Sequence, residues 1–277
     1  MERSIDDVRG NPDCRPALAG LILALVSFPT LAGDVREIHR TVALDAHGAV
    51  AIRTFKGSIG VEPWDEPRAE VVARIEADTS CGSDAHQAER VRLTEVDFES
   101  TPSRLEMRSN YEKLDPLPLI PFHTPGFNAA CSAHPFIHYR LRIPRTARLD
   151  VEDHKSKITV NGLRSDARIS THKGHADVKA HDGAIDLTTH KGDVRVEFAR
   201  LGGDSRLETY KGDIEISLPR SAGFDLDARV ERGGMLDAAF PLEERDVNRR
   251  ERAYEQKVNG GGPRLELSTR NGSIRIK

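Results

Sequence analysis

Ser170-Thr171-His172-Lys173-Gly174, Thr188-Thr189-His190-Lys191-Gly192 and Glu208-Thr209-Tyr210-Lys211-Gly212 are three copies of one short phrase. Around the first two the register is tight: Ala176, Ile185 and Val194 are spaced by nine, as are Val178, Leu187 and Val196. Each unit alternates small apolar with polar residues and ends in Lys-Gly or Asp-Gly. Alternation at period two marks a strand with one buried face, and glycine supplies the positive φ of a tight reversal. Ala176, Val178 and Ala180 are therefore expected to point inward and Asp177, Lys179 and His181 outward.

The fold class is all-β, and two architectures fit. In a β-solenoid two units make one coil of about eighteen residues. In an antiparallel sandwich or meander each glycine pair closes a hairpin, and Asp182-Gly183 and Asn271-Gly272 are good hairpin turns. The small inward residues and an aromatic content of 5% favour the slender interior of a solenoid.

Working outward, Thr54-Phe55-Lys56-Gly57-Ser58-Ile59-Gly60-Val61 is an early copy, and Lys155-Ser156-Lys157-Ile158-Thr159-Val160 is a copy with serine in place of glycine. Leu265 to Ile276 is the last. Two stretches break the pattern: a proline-rich insertion over residues 110–135, and a densely charged insertion over residues 242–259 that reads as a helix or a projecting loop, with a cap for an end strand as its expected use. Ser83 to Val91 has the signals of a short helix. Trp64, the only tryptophan, is expected to pack over one end of the core.

At the amino terminus the apolar run Ala17 to Phe28 has the length of a signal-peptide core and ends in small residues, so residues 1–32 are expected to be a signal peptide and residues 33–277 the mature domain. The acidic residues before it fit a signal peptide poorly. Export places the chain in the periplasm, the outer envelope or the extracellular space, with no membrane span once the signal is removed. In that oxidising setting Cys81 and Cys131 are candidates for a disulfide. A net charge of −3 with 31% charged residues gives no polybasic signature, so nucleic acid is not an expected partner. The mean hydropathy of −0.50 argues against an integral membrane protein.

The strand ending Arg142-Ile143-Pro144, the serial Thr-x-Lys-Gly phrases, the turn Ile59-Gly60-Val61-Glu62-Pro63-Trp64-Asp65 and the closing Ser268-Thr269-Arg270-Asn271-Gly272-Ser273-Ile274 together resemble the bacterial DUF4097-type "putative adhesin" family and its head GIN relatives. The resemblance spans Val50 to Lys277, apart from the two insertions. It implies a β-solenoid-like envelope protein with no catalytic set to carry over.

The residues most suggestive of binding are His154, His172 and His190, eighteen apart, with Tyr210 at the same point of the next phrase. One coil of eighteen residues would stack them at the strand spacing of about 4.8 Å. Stacked imidazoles could share a metal or respond to pH. Beside them Lys155, Lys173, Lys191 and Lys211 form a second row, whose field opposes a cation and suits an anion such as phosphate or a carboxylated glycan. The ligand-binding set is therefore His154, His172, His190, Tyr210, Lys173, Lys191 and Lys211, with an envelope glycan or another protein as partner and no cofactor. Outward acids at Asp177, Asp186, Asp193, Asp213 and Glu215 are scattered without a close pair, and no nucleophile-elbow phrase is present, so an enzyme acting on polysaccharide is the second reading.

Overall fold

The structure, a computed structural model, describes residues 35–79, 84–114, 134–248 and 251–277. The expected signal peptide, Cys81, Cys131 and most of the proline-rich insertion lie outside them. Among the described residues the strands form two sheets, of ten and eleven strands, that face each other across one core. The chain crosses from one sheet to the other at each Thr-x-Lys-Gly phrase and returns at the opposite turn. The result is a parallel stack of two-strand coils.

In spatial order the coils are Arg104–Asn110 with Phe136–Pro144, Ala49–Arg53 with Lys56–Trp64, Arg148–Asp153 with Lys155–Asn161, and Ala167–Thr171 with His175–Gly183. Then follow Ile185–Lys191 with Val194–Leu201, Ser205–Lys211 with Ile214–Ser217, Arg264–Asn271 with Ile274–Ile276, and Phe224–Glu231 with Leu236–Ala238. Neighbouring coils pair in parallel throughout, so the antiparallel meander is excluded as the architecture of the repeats. Val178 and Val196 are register partners, both buried.

Inward residues run as columns along the stack. On one sheet Ile59, Ile158, Ala176, Val194, Ile214 and Ile274 are successive partners, each at most 2% exposed. On the other, Ile52, Val151, Ile169, Leu187, Leu207 and Leu267 do the same. A fully buried Val, Leu or Ile is worth about 1.5–3 kcal/mol, and no single residue dominates so even a core.

Both ends of the stack are closed by chain that departs from the repeat. At one end Arg68–Glu76 adds antiparallel to Phe136–Pro144 and Val35–Ala43 antiparallel to Arg68–Glu76, and Glu95–Thr101 adds antiparallel to Arg104–Asn110. The helix Asp84–Leu93 puts Val91 into the core there, and Arg36 donates to the carbonyls of Arg92 and Thr94 at its carboxyl end. At the other end the charged insertion is neither helix nor loop. It forms a hairpin, Glu244–Asn248 and Glu251–Val258, whose second strand pairs antiparallel with Phe224–Glu231 and buries Tyr254 and Val258. Strand alternation was hidden by its charge density, because only one residue in two of an edge hairpin faces the core.

Two side-chain expectations are corrected. Ala180 is exposed with φ of +49°, and His181 is fully buried, because between Val178 and His181 two residues, Lys179 and Ala180, oppose the single Glu197 of the neighbouring strand. This bulge turns every later residue of the strand to the other face. Trp64 does not cover the core: its indole donates to the Arg68 carbonyl at 2.9 Å, and the guanidiniums of Arg68 and Arg142 lie 4.7 and 5.9 Å from its ring centre.

The turns themselves are nested. At Gly192, with φ of +157°, an added Cβ would lie 2.0 Å from the Gly174 carbonyl oxygen of the next coil; at Gly212 the same contact with Gly192 is 2.1 Å. Gly192→Ala is therefore expected to lower the unfolding free energy by about 3 kcal/mol or more. Gly162→Ala, where φ is +78° but nothing lies within 4 Å, costs only the left-handed penalty of about 1 kcal/mol. Equal losses in chemical denaturation would contradict the nesting.

The buried His181 bonds the Ala184 carbonyl through Nε2 at 3.1 Å, its Nδ1 has no partner, and burial pushes its pKa below the ordinary histidine value. An unfolded chain takes up this proton from about pH 6.5 downward, whereas the folded chain resists it. The stability this contributes is full above about pH 6.5 and is lost as pH falls through the depressed folded value. His181→Asn should reduce the drop in unfolding free energy between about pH 7 and about pH 5, whatever its effect at neutrality. An unchanged drop would show that the destabilisation has another source.

Candidate functional site

The site is built by the turn phrase. Its threonines, Thr171, Thr189, Thr209 and Thr269, are register partners with at most 5% exposure, and the last three donate to the carbonyls of Gly174, Gly192 and Gly212 at 3.3, 3.0 and 2.9 Å. Each hydroxyl satisfies the turn of a neighbouring coil. The coil with Ser156 in place of glycine carries Asp153 in place of threonine, and that carboxylate accepts from the Ser156 amide and hydroxyl, both at 2.6 Å, and from Thr171 Oγ1 at 2.8 Å. Burial raises the Asp153 pKa against these bonds, which pull it down.

With the threonines pinned, the following residue of every phrase is presented at the turn edge in the same attitude. The rings of His154 and His172 are stacked with centres 4.9 Å apart and planes 15° apart, His172 and His190 at 4.8 Å and 3°, and His190 and Tyr210 at 4.7 Å and 9°. The stack is longer than the predicted set. Phe55 lies on His154 at 4.8 Å and 2°, and the Arg270 guanidinium lies 5.2 Å from the Tyr210 ring centre. Both additions sit at the third position of a copy of the phrase, so the signal was present in Thr54-Phe55-Lys56-Gly57 and Thr269-Arg270-Asn271-Gly272.

Lys155, Lys173, Lys191 and Lys211 follow along the same edge, all exposed. Among the described residues none of them makes an ion pair; Lys211 only leans on Tyr210, 5.7 Å from its ring centre. Lys56, the earlier member, turns away to pair with Asp78 and lies 4.2 Å from the Phe136 ring centre. Partial burial, then the His172 imidazole and the Lys173 ammonium, hold the His154 pKa below its ordinary value.

The two flat faces and the opposite turns look different. On the faces charges alternate from coil to coil: Arg206 meets Glu266 at 3.9 Å, Arg264 meets Asp227 at 2.5 Å, and Glu215 lies between Arg195 at 3.9 Å and Arg275 at 3.7 Å. At the opposite turns Arg145 pairs with Asp65, and Arg200 with Asp182 at 2.9 Å. The two exposed large hydrophobic residues among those described, Phe55 at 39% and Met235 at 64%, both belong to the lysine edge.

Among the described residues all the outward acids but Asp186 have a partner. Asp177 faces Lys179 at 3.6 Å, Asp193 faces His175 at 3.7 Å, and Asp213 accepts the Ser273 amide at 2.8 Å. The bond from Lys277 holds Glu215 below the usual carboxylate range. Nor does the stack suit a shared metal. Two nitrogens on one zinc are at most about 4.2 Å apart, whereas parallel rings 4.8 Å apart keep equivalent nitrogens at that larger spacing. Among the described residues no group of three or more His, Cys, Asp or Glu side chains could hold a metal ion, and no helix is long and apolar enough to cross a membrane.

Residues 142–277 match the Toastrack DUF4097 family, and the observed fold is β-solenoid-like. The two amino-terminal coils continue the stack beyond the match. No curated protein matches the chain. Two solved structures are similar over 87% of it: a "putative cell adhesion protein" from Clostridium sporogenes, at 11% identity, 99% of its own length and a TM-score of 0.41, and a "putative adhesin" from Bacteroides fragilis, at 12%, 97% and 0.42. A likeness at those scores says nothing further about this chain.

Proposed function

We propose that this is a non-catalytic binding scaffold of the cell envelope, whose lysine edge takes up an anionic polymer, a carboxylated or phosphorylated glycan. The carrying observation is a contrast in charge: the flat faces carry ion pairs between coils, such as Arg206 with Glu266 and Arg195 with Glu215, whereas the edge with stacked rings presents four lysines that make no ion pair among the described residues. Strands about 4.8 Å apart carry the four lysines, so their row spans about 14 Å of backbone. A polymer with anionic groups along its length meets such a strip many times, and the entropy lost in the first contact is not lost again in the rest. The imidazoles of His172 and His190 make no hydrogen bond with other described residues, which leaves their ring nitrogens for ligand oxygens. A surface role agrees with the apolar run Ala17 to Phe28 and with a fold that puts its polar rows outside.

Binding of polygalacturonate to the full chain is expected, weakening steeply with salt, with no binding of neutral dextran. Replacing Lys173, Lys191 and Lys211 together by alanine should weaken it about tenfold or more and flatten the salt dependence. An unchanged affinity in the triple variant, with the fold intact by circular dichroism, would defeat the proposal.

A further inference from the structure

The ring stack is closed by a cation at one end and flanked by the edge-on rings of Tyr111 and His134 at the other. At the closed end Arg270 covers Tyr210 and is itself held by Glu231 at 3.2 Å. At the other end, beyond His154 and Phe55, the chain forms an open cavity of about 420 Å³ lined by Arg53, Phe55, Arg108, Tyr111, His134, Glu152 and His154, with the hydroxyls of Thr54 and Ser109, 2.8 Å apart, also in its wall. That volume lies in the range of small-molecule sites, roughly 300–1,000 Å³. The coil order produces it: Phe55 and His154 are 99 positions apart in the chain, and Tyr111 comes from the outermost coil.

We infer that this cavity seats one terminal acidic sugar of the polymer held along the lysine edge, an inference that rests on the edge reading above. Three features of the lining select that class. Phe55 and Tyr111, edge to face at 6.4 Å with His134 packed against both, give aromatic surface of the kind a sugar ring packs against. Hydroxyls and the Glu152 carboxylate, whose side chain is 63% exposed, supply acceptors and donors for ring hydroxyls. Among the described residues Arg108, 65% exposed, has only a long 3.6 Å contact with Glu106, so its fork of donors is left for a ligand carboxylate. Arg53 cannot serve in this way. Its guanidinium is held by Asp150 at 3.0 and 3.2 Å and by Glu152 at 3.3 Å, which fixes the floor of the site rather than binding the ligand. A small inorganic anion would leave the aromatic walls unused, and an apolar ligand would leave the guanidinium unpaired. A uronic-acid ring uses both.

The position also gives the edge a direction. A chain end in the cavity would run past Lys155, Lys173, Lys191 and Lys211 toward the closed end, so short acidic oligomers depend on the cavity and long polymers on the lysines.

The test is isothermal titration of the full chain with trigalacturonate, polygalacturonate and neutral galactotriose. Phe55→Ala and Arg108→Ala remove exposed side chains and leave the core columns untouched. Each is expected to weaken trigalacturonate about tenfold or more while changing polygalacturonate less than about threefold. The inference is overturned if trigalacturonate binds no better than galactotriose, or if both variants bind it like the parent. Should polygalacturonate itself fail to bind the parent, the edge reading falls; should it bind and lose affinity only in the lysine variant, the edge stands and the cavity does not.

Discussion

The close approach of one turn to the next is the constraint on which the rest of the structure depends. From Gly192 to Gly212 to Gly272 to Gly234, an added Cβ would lie between 1.9 and 2.1 Å from the carbonyl oxygen of the neighbouring turn. Contacts so close tolerate no side chain at that point, and they force the coils into one alignment. Once the turns are superposed, the residues just before them have no freedom to diverge. The buried threonine hydroxyls then lock each turn to the next, and rings that are 18 or 20 residues apart in sequence lie face over face. The stack on the lysine edge is thus a consequence of backbone nesting, with ring attraction as a modest addition.

A stack of identical coils has a second problem, its two ends. The order in space solves it by breaking the order in sequence: the coil at 49–64 lies inside the one at 104–144, and the last coil, 264–276, lies inside the one at 224–238. The outermost coil at each end is therefore one whose flanking chain is free to fold back as antiparallel strands. Those strands occupy edges that would otherwise offer unpaired amides to another molecule. One edge of the ten-stranded sheet is left with only the short strand Leu236–Ala238, another way of limiting pairing.

Much of this was legible from residues alone. The nine-residue spacing of Ala176, Ile185 and Val194 contains the coil length, and the equivalence of His154, His172 and His190 contains the ladder. Coil order was not legible, because a repeat says which segments are equivalent and not which are neighbours. Phe55 was for that reason left out of the binding set, although its phrase had been seen. Glycine at the turns left parallel and antiparallel pairing open, since both reversals need positive φ. His181 was misplaced because one extra residue in a strand leaves no mark on composition. The hairpin at 244–258 was missed because charge obscured its period. Tyr111 and Arg108, which belong to the cavity, lie in strands and a connection with no repeat signature.

The charge pattern is the part of the structure that stability does not account for. Two ammonium groups about 4.8 Å apart repel by about 1 kcal/mol even in water, less with salt, and the row repeats that cost along its length. The fold has an available remedy, because alternating Arg and Glu between coils turns the same proximity into attraction. It uses that remedy on both flat faces, where Glu215 sits between Arg195 and Arg275 and Arg206 faces Glu266. Nothing about the turn edge forbids it, since an acid there would be as exposed as a lysine. A row of like charges where a pairing arrangement is available tends to mark a place where function overrides stability. A bound polyanion would supply the alternation that the protein itself omits, so that the edge reaches its best electrostatic state only when occupied.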